Sequence, residues 1–303
     1  MKIKLFSHTD LDGVGCNIVV KSTFENMNFS SKVDCENLNY DTIDNTIENF
    51  IINEEYKDYD LIFVTDISVN EDVAELIENT CKDKMRLLDH HPTALHLNKY
   101  SWAIVDIERD NEKTCSTTMI YDELGFEDDY LYGWVECIRK YDTWLWKEKY
   151  NDIKSKELND LFFILGKEKF IAKALECIKD EVRVERFIEK HRALLDEKQK
   201  QIDEYVENKN KTLMKINKGS VMLGVVFAEH YHSELGNRLS ETNQDCDLIM
   251  IINGNKVSLR TVRDDVNCGE IAKLLGGGGH PKASGFMIKD NIMLSFFNNI
   301  LSI

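Results

Sequence analysis

The sequence has no strongly basic block, no Cys-x-x-Cys pair, no apolar leader at its start, and no apolar run near the ~18 residues of a membrane span. Each absence closes off a class. With a formal charge of −16 and no basic block, long-range electrostatics repel duplex DNA, so any contact with nucleic acid must be local. The eight cysteines, at positions 16, 35, 81, 115, 137, 177, 246 and 268, form no dense framework and read as reduced thiols, several of them in the core. A cytoplasmic protein with no membrane partner is expected. Disorder is excluded by composition, since 43% of residues are hydrophobic and 10% aromatic. A chain of 303 residues with these properties suits two ordinary domains.

Short apolar runs alternate with amphipathic stretches through the first half. "IKLFS", "LIFVTD", "MRLLDHH" and "WAIVD" look like strands, while 14–24 and "NEDVAELIENTC" have helical spacing. Such alternation predicts βαβ units and a mostly parallel sheet flanked by helices over 1–180, with ligands collecting beyond the carboxyl ends of its strands. From 181 to 211 the chain is charge-rich, free of proline and glycine, and carries Val184, Phe187, Ile188, Leu194, Leu195, Ile202 and Tyr205 on one helical face. One connecting helix is expected there. A smaller α/β domain is expected over 212–303, with strands in "GSVMLGVVFAEH" and "DLIMIINGNKVSLRTV", the latter folded as a hairpin at Asn253, Gly254 and Asn255. "CGEIAKLLG" then reads as a short helix and "ASGFMIK" as a closing strand.

The polar residues gather at the ends of the apolar runs. "HTDLDG", residues 8–13, offers imidazole nitrogen and carboxylate oxygen without a thiolate, a donor mix suited to Mn²⁺ and acceptable to Mg²⁺. Gly13 is expected to permit a sharp turn. The plainer alternative is a polar turn in which Asp12 caps the following helix. Asp66 ends "LIFVTD", where Ser68 or Asn70 could cap the next helix and leave it free. Asp89, His90 and His91 follow a buried run, and would be costly there without partners. Asp142 in "RKYDTWLW" is equally readable as a helix-flanking residue among core aromatics.

In the second half, "GGGGHPKASG", residues 276–285, is either a flexible linker or a backbone cradle for phosphate. A linker does not require His280 and Pro281 with a strand directly after them. Gly277, Gly278, His280 and Ser284, with Arg260 preferred to Arg263, are therefore candidates for binding a phosphate or nucleotide. "STT" at 116–118 reads as a helix cap, and the aromatics of "LYGWVECIRKYDTWLW" as core packing in preference to base stacking. His230 and His232 have no assigned role.

The ordered set "HTDLDG", "VTD", "DHH", "YDTW" and "GGGGHPKASG" resembles the DHH phosphoesterase superfamily with its DHH-associated substrate-binding domain, and within it looks most like the oligoribonuclease (nanoRNase) branch. The resemblance implies two metal ions, Mn²⁺ or Mg²⁺. His8 and Asp10 would hold one, Asp66 would bridge, and Asp12, His90 and Asp142 would complete the second. His91 would face the scissile phosphate, Asp89 would orient its neighbours, and Gly277, Gly278, His280 and Arg260 would clamp the substrate's terminal phosphate. The implied reaction is attack on a phosphodiester by a hydroxide generated between two ions. The implied substrate is short single-stranded RNA or a dinucleotide, not long duplex, and a homodimer is compatible with it. A phosphatase of 3′-phosphoadenosine 5′-phosphate, a phosphodiesterase of linear or cyclic dinucleotides, an inorganic pyrophosphatase, and a non-catalytic nucleotide sensor are the rivals.

Overall fold

The structure is a computed structural model, and it describes residues 1–27, 31–109 and 111–288. The chain divides into two units, Met1–Leu195 and Asp196–Ile303.

The first unit is built on five strands, β1 (Lys2–His8), β2 (Lys32–Leu38), β3 (Leu61–Thr65), β4 (Met85–Asp89) and β5 (Ala103–Val105), in the order β2-β1-β3-β4-β5. Every pairing is parallel. Helices α1 (Leu11–Met27), α2 (Ile43–Ile52) and α3 (Glu71–Thr80) connect the first four strands, and the sheet carries a core on each face, as a parallel sheet must. Alternation along the strands sorts the side chains. Leu5, Phe63 and Leu88 enter one core, while Phe6, Val64 and Leu87 enter the other with α2 and α3. The expected α/β fold with its N-terminal parallel sheet is the one found.

After the short pair β6 (Glu108–Arg109) and β7 (Glu112–Lys113) come α4 (Ser116–Leu124), α5 (Asp129–Asp142), α6 (Leu145–Glu148), α7 (Ile153–Leu165) and α8 (Lys167–Lys179). They supply Met119, Trp134, Leu161 and Phe170 to the core shared with α1. Asp128 starts α5 by accepting from Leu131 N at 2.8 Å, and Gly125 ends α4 at φ 59°.

The stretch expected to form one connecting helix from 181 to 211 is two helices, α9 (Val184–Lys190) and α10 (Arg192–Lys211). The break has a local cause. His191 Nδ1 lies 2.8 Å from the Phe187 carbonyl, the acceptor its own N–H would use in an unbroken helix, and that N–H turns to Ile188 O at 3.0 Å.

The second unit holds β8 (Met214–Lys218), β9 (Val221–Phe227), α11 (His232–Thr242), β10 (Leu248–Asn253), β11 (Lys256–Arg260), α12 (Cys268–Leu274), β12 (Gly278–Gly279) and β13 (Ala283–Met287). Its sheet runs β12-β13-β11-β10-β9-β8, with β9 and β10 parallel and the remaining pairs antiparallel. The expected hairpin joins β10 to β11 through Gly254 at φ 58°. Among the described residues no helix is long and apolar enough to cross a membrane.

Candidate metal centre

Strand order in the first sheet reverses between β1 and β3. From β1 the chain moves outward to β2, then crosses back past β1 to β3, β4 and β5, so a crevice opens beyond the carboxyl ends of β1 and β3. His8 ends β1, Asp66 follows β3, and Asp89 ends β4 with His90 and His91 directly after it. Asp10 and Asp12 follow from the β1 side, and Asp142 arrives as the last residue of α5.

The fold brings these residues into three overlapping groups whose donor atoms lie within 4.8 Å of one another: His8, Asp10 and Asp66; Asp12, His90 and Asp142; and Asp66, His90 and His91. Asp66 is the common member of the first and third. Its Oδ2 lies 3.8 Å from His8 Nδ1 and its Oδ1 lies 3.4 Å from His90 Nε2. The same His90 Nε2 is 3.4 Å from Asp142 Oδ2 and 3.6 Å from Asp12 Oδ2. Asp66 is buried and has φ 60°, a left-handed conformation that costs an ordinary side chain about 1–2 kcal/mol. Strain of this kind persists where the surroundings dictate it.

Each donor is held by a separate device. The Asp10 side chain caps α1, accepting from Gly13 N at 3.1 Å, while its other oxygen lies 2.9 Å from His8 Nδ1. Asp12 does not cap its own helix. Its two carboxylate oxygens accept the N–H groups of Ser116 and Thr117 at 2.8 and 2.9 Å, and Thr117 Oγ1 donates to the Asp12 carbonyl at 2.7 Å. The residues "STT" therefore start α4, with the cap supplied from α1. Asn70 caps α3 through Val73 N at 3.0 Å, which leaves Asp66 out of that role.

Gly13 is not at a sharp turn but inside the first turn of α1, and its need is close approach: a Cβ there would lie 2.3 Å from the His8 carbonyl oxygen. That carbonyl also accepts from Asn37 Nδ2 at 2.6 Å, and Asn37 is held in turn by Asn17 at 2.8 Å. Asp89 Oδ1 accepts from the backbone N–H groups of His90 and His91 at 2.7 and 3.2 Å and lies 2.7 Å from His91 Nδ1. The His91 imidazole is thereby held by a buried carboxylate.

The electrostatics of this edge are unfavourable on their own. Burial first, and then the charges of Asp12 and Asp10, push the carboxyls of Asp66 and Asp142 well above the ordinary aspartate range. Burial would raise Asp10 too, but the His8 imidazole and the Asp66 carboxyl outweigh it and bring Asp10 to about 2. His91 is raised by its hydrogen bond to Asp89, against the effect of burial. Among the described residues no lysine or arginine pairs with Asp10, Asp12, Asp66, Asp89 or Asp142. Among the described residues, three buried donor atoms, His8 Nδ1, Asp66 Oδ2 and His90 Nε2, have close carboxylate or imidazole neighbours but none in full hydrogen-bond geometry. Clustered carboxyls with orphaned donors fit a cation, whose charge would offset their repulsion. Oxygen and imidazole without thiolate suit Mn²⁺ or Mg²⁺, and the nearby Cys16 and Cys115 thiols are kept protonated, mainly by burial.

The second unit treats its candidates differently. The glycine run is a β-hairpin and not a linker: His280 N donates to Ala283 O at 2.8 Å, and Ala283 N returns to His280 O at 3.2 Å. Gly279 has φ 136°, and a Cβ on Gly277 would lie 2.1 Å from the Gly285 carbonyl. Gly278 faces open space and His280 is exposed. Arg260 is half-buried beside α11, its guanidinium 3.5 Å from Ser233 Oγ, and a Cβ on Gly236 would strike its stem. Ser284, expected to meet substrate, is buried with its hydroxyl donating to Cys268 O at 2.6 Å.

A residue that the sequence reading passed over also stands at the metal edge. Tyr40, two positions beyond β2, holds its ring 5.3 Å from that of His8 and 6.3 Å from that of His91. A lone tyrosine in a turn gives no pattern by which to find it.

A doubly wound parallel sheet with a His–Asp cluster at its switch point, followed by a second mixed unit, defines a phosphoesterase of the DHH class, and the chain belongs to that family. Residues 232–302 match the DHHA1 domain. Among characterised proteins, the chain is 38% identical over 301 residues to oligoribonuclease NrnB of Bacillus subtilis, spanning 95% of this chain and 73% of that one. It is 26% identical over 333 residues to a 3′,5′-cyclic-nucleotide phosphodiesterase of Helicobacter pylori, spanning 94% and 92%. Two solved structures share the fold at low identity. One is a pGpG-specific phosphodiesterase, PggH, from Vibrio (TM-score 0.52, 12% identity, 99% of this chain and 98% of that one). The other is exonuclease RecJ bound to manganese (TM-score 0.50, 13% identity, 98% and 88%).

Proposed function

We propose that the chain hydrolyses short single-stranded RNA to mononucleotides at the carboxyl edge of its parallel sheet, with two Mn²⁺ ions as cofactors and Mg²⁺ as the alternative. The observation that carries this reading is the position of Asp66, whose two oxygens face two imidazoles that each head a separate carboxylate set. His8, Asp10 and one oxygen of Asp66 would hold one ion. Asp12, His90, Asp142 and the other oxygen would hold the second. When bound, such a pair lowers the pKa of a water molecule and offsets charge on the attacked phosphate.

The chain's own groups do the rest. The α4 N-terminus fixes Asp12, the Gly13 contact fixes His8, and Asp89 fixes His91. With Nδ1 engaged by Asp89, the other nitrogen of a protonated His91 is left to donate to a phosphoryl oxygen or to the leaving oxygen. In the second unit, Arg260, Gly277, Gly278 and His280 would hold the substrate's terminal phosphate, through one cation and a hairpin with an open backbone. An acidic chain suits a substrate held by a few local contacts, and eight cysteines outside any disulfide suit the reducing cytoplasm. The 38% identity to a protein named as an oligoribonuclease supports the choice of short RNA.

A second reading, hydrolysis of a small cyclic or linear dinucleotide, is favoured by the 26% identity to a cyclic-nucleotide phosphodiesterase. A product-resolved assay separates the two, comparing labelled RNA dinucleotides and pentanucleotides with cyclic nucleotides and 3′-phosphoadenosine 5′-phosphate, in Mn²⁺ and in Mg²⁺. Release of mononucleotides from short RNA is expected, with none from Asp66→Ala, whose circular dichroism matches wild type. Turnover of small nucleotides alone selects the second reading or a phosphatase, and near-wild-type turnover by Asp66→Ala refutes the site.

A further inference from the structure

Tyr40 stands out at the metal edge because it is an aromatic ring left half in solvent, 53% exposed. The backbone beneath it is not loose. Asn39 N donates to Thr42 Oγ1 at 3.1 Å, Thr42 Oγ1 lies 3.0 Å from Asn39 O, and Thr42 N and Ile43 N both donate to that same carbonyl at 3.0 and 3.1 Å. Thr9, between His8 and Asp10, ties the turn to the β1 side by donating to Asn39 Oδ1 at 2.9 Å. A fixed turn thus presents an open ring, tilted 53° to His8 and edge-on to His91.

Among the described residues the Tyr40 hydroxyl has no hydrogen-bond partner, so no polar anchor accounts for where the ring lies. What the position offers is a flat, amphipathic surface beside His8, a proposed metal ligand, and His91, proposed to face the reacting phosphate. We propose that Tyr40 is a substrate-positioning residue, the platform on which the nucleobase adjoining the scissile phosphate stacks. This rests on the proposed hydrolysis of short oligonucleotides and specifies how one unit of the substrate is gripped. A stack accepts any base, because every base has a π-face, and so provides grip without sequence preference.

The test is steady-state kinetics of wild type, Tyr40→Phe and Tyr40→Ala, in Mn²⁺, on an RNA dinucleotide and on the two versions of it that lack one base. Tyr40→Ala should raise KM for the intact dinucleotide about tenfold with kcat little changed, as loss of one base stack does, and Tyr40→Phe should match wild type. On one of the two abasic substrates, wild type and Tyr40→Ala should coincide. A wild-type KM for Tyr40→Ala on the intact dinucleotide overturns the proposal. So does an equal defect on both abasic substrates, or a Tyr40→Phe variant as impaired as Tyr40→Ala, because either result assigns the residue to the hydroxyl or to the fold. Absence of RNA hydrolysis by wild type overturns the functional reading itself, and the stacking role with it.

Discussion

Replacing Asp66 by asparagine should make the metal-free protein more stable and the metal-loaded protein inactive. Asparagine nearly matches aspartate in shape and tolerates the left-handed φ of 60° found at this position, so the backbone is undisturbed. What changes is one charge in a buried cluster with Asp10, Asp12 and Asp142, a cluster that already drives the Asp66 carboxyl toward its neutral form. Like charges buried together disfavour one another, so a neutral isostere at this position relieves repulsion that the metal-free wild type carries. Single stabilising substitutions, relief of like-charge repulsion among them, contribute about 0.5–2 kcal/mol, so a gain of about 1 kcal/mol is expected.

For a folding unit of this size each kcal/mol moves the melting temperature by about 2–4 °C. Differential scanning calorimetry in EDTA should therefore show Asp66→Asn melting about 2–4 °C above wild type. In Mn²⁺ at a hundredfold excess over Kd, wild type should gain about 2.7 kcal/mol, and the variant, lacking the carboxylate common to both donor sets, far less. The order of melting temperatures should reverse between the two buffers. A variant that melts below wild type in EDTA, or that gains as much from Mn²⁺, refutes the reasoning that this carboxylate is held in place for a cation.

Two further substitutions isolate supporting contacts. Asp89→Asn removes the carboxylate that holds His91 and should lower kcat about 10- to 100-fold, while metal analysis finds the Mn²⁺ content of wild type. Loss of Mn²⁺ instead would assign Asp89 to holding an ion. Gly13→Ala places a Cβ 2.3 Å from the His8 carbonyl, between backbone atoms that have nowhere to move, and should cost about 1–3 kcal/mol. A lower urea midpoint together with weaker Mn²⁺ binding is expected, and an unchanged midpoint would show that the approach of α1 to β1 is not tight.

The donors were legible because parallel strands buried on both faces leave only their ends for polar side chains. A histidine or aspartate directly after "LIFVT" or "MRLL" has no apolar reason to be there. The same logic passes over β2, "KVDCENL", an edge strand whose side chains are mostly half-buried and which therefore shows no apolar run. It also passes over β8, "MKINK", exposed at every position.

Long-range partnerships were equally silent. That Asp12 caps a helix beginning at Ser116 depends on how α1 packs against α4 and not on any spacing near residue 12. The helix break at His191 was hidden because its cause is one ring reaching one carbonyl, while apolar periodicity continues on both sides. Ser284 looked available next to a glycine run, but strand alternation turns it inward onto Cys268. The role of Gly13 was misjudged for a similar reason: sequence shows that a glycine is present, and only packing shows whether rotation or clearance requires it.

The donors come from three strand ends, the start of α1 and the last turn of α5, so the site exists only when the chain around His8 and the chain around Asp142 have come together. No excised piece ending before Asp142 holds both sets. Translation releases the amino terminus first, so His8 waits through the synthesis of most of the first unit before its distant counterparts emerge. A nascent chain therefore carries only part of the donor constellation until the end of α5 has folded back onto the sheet.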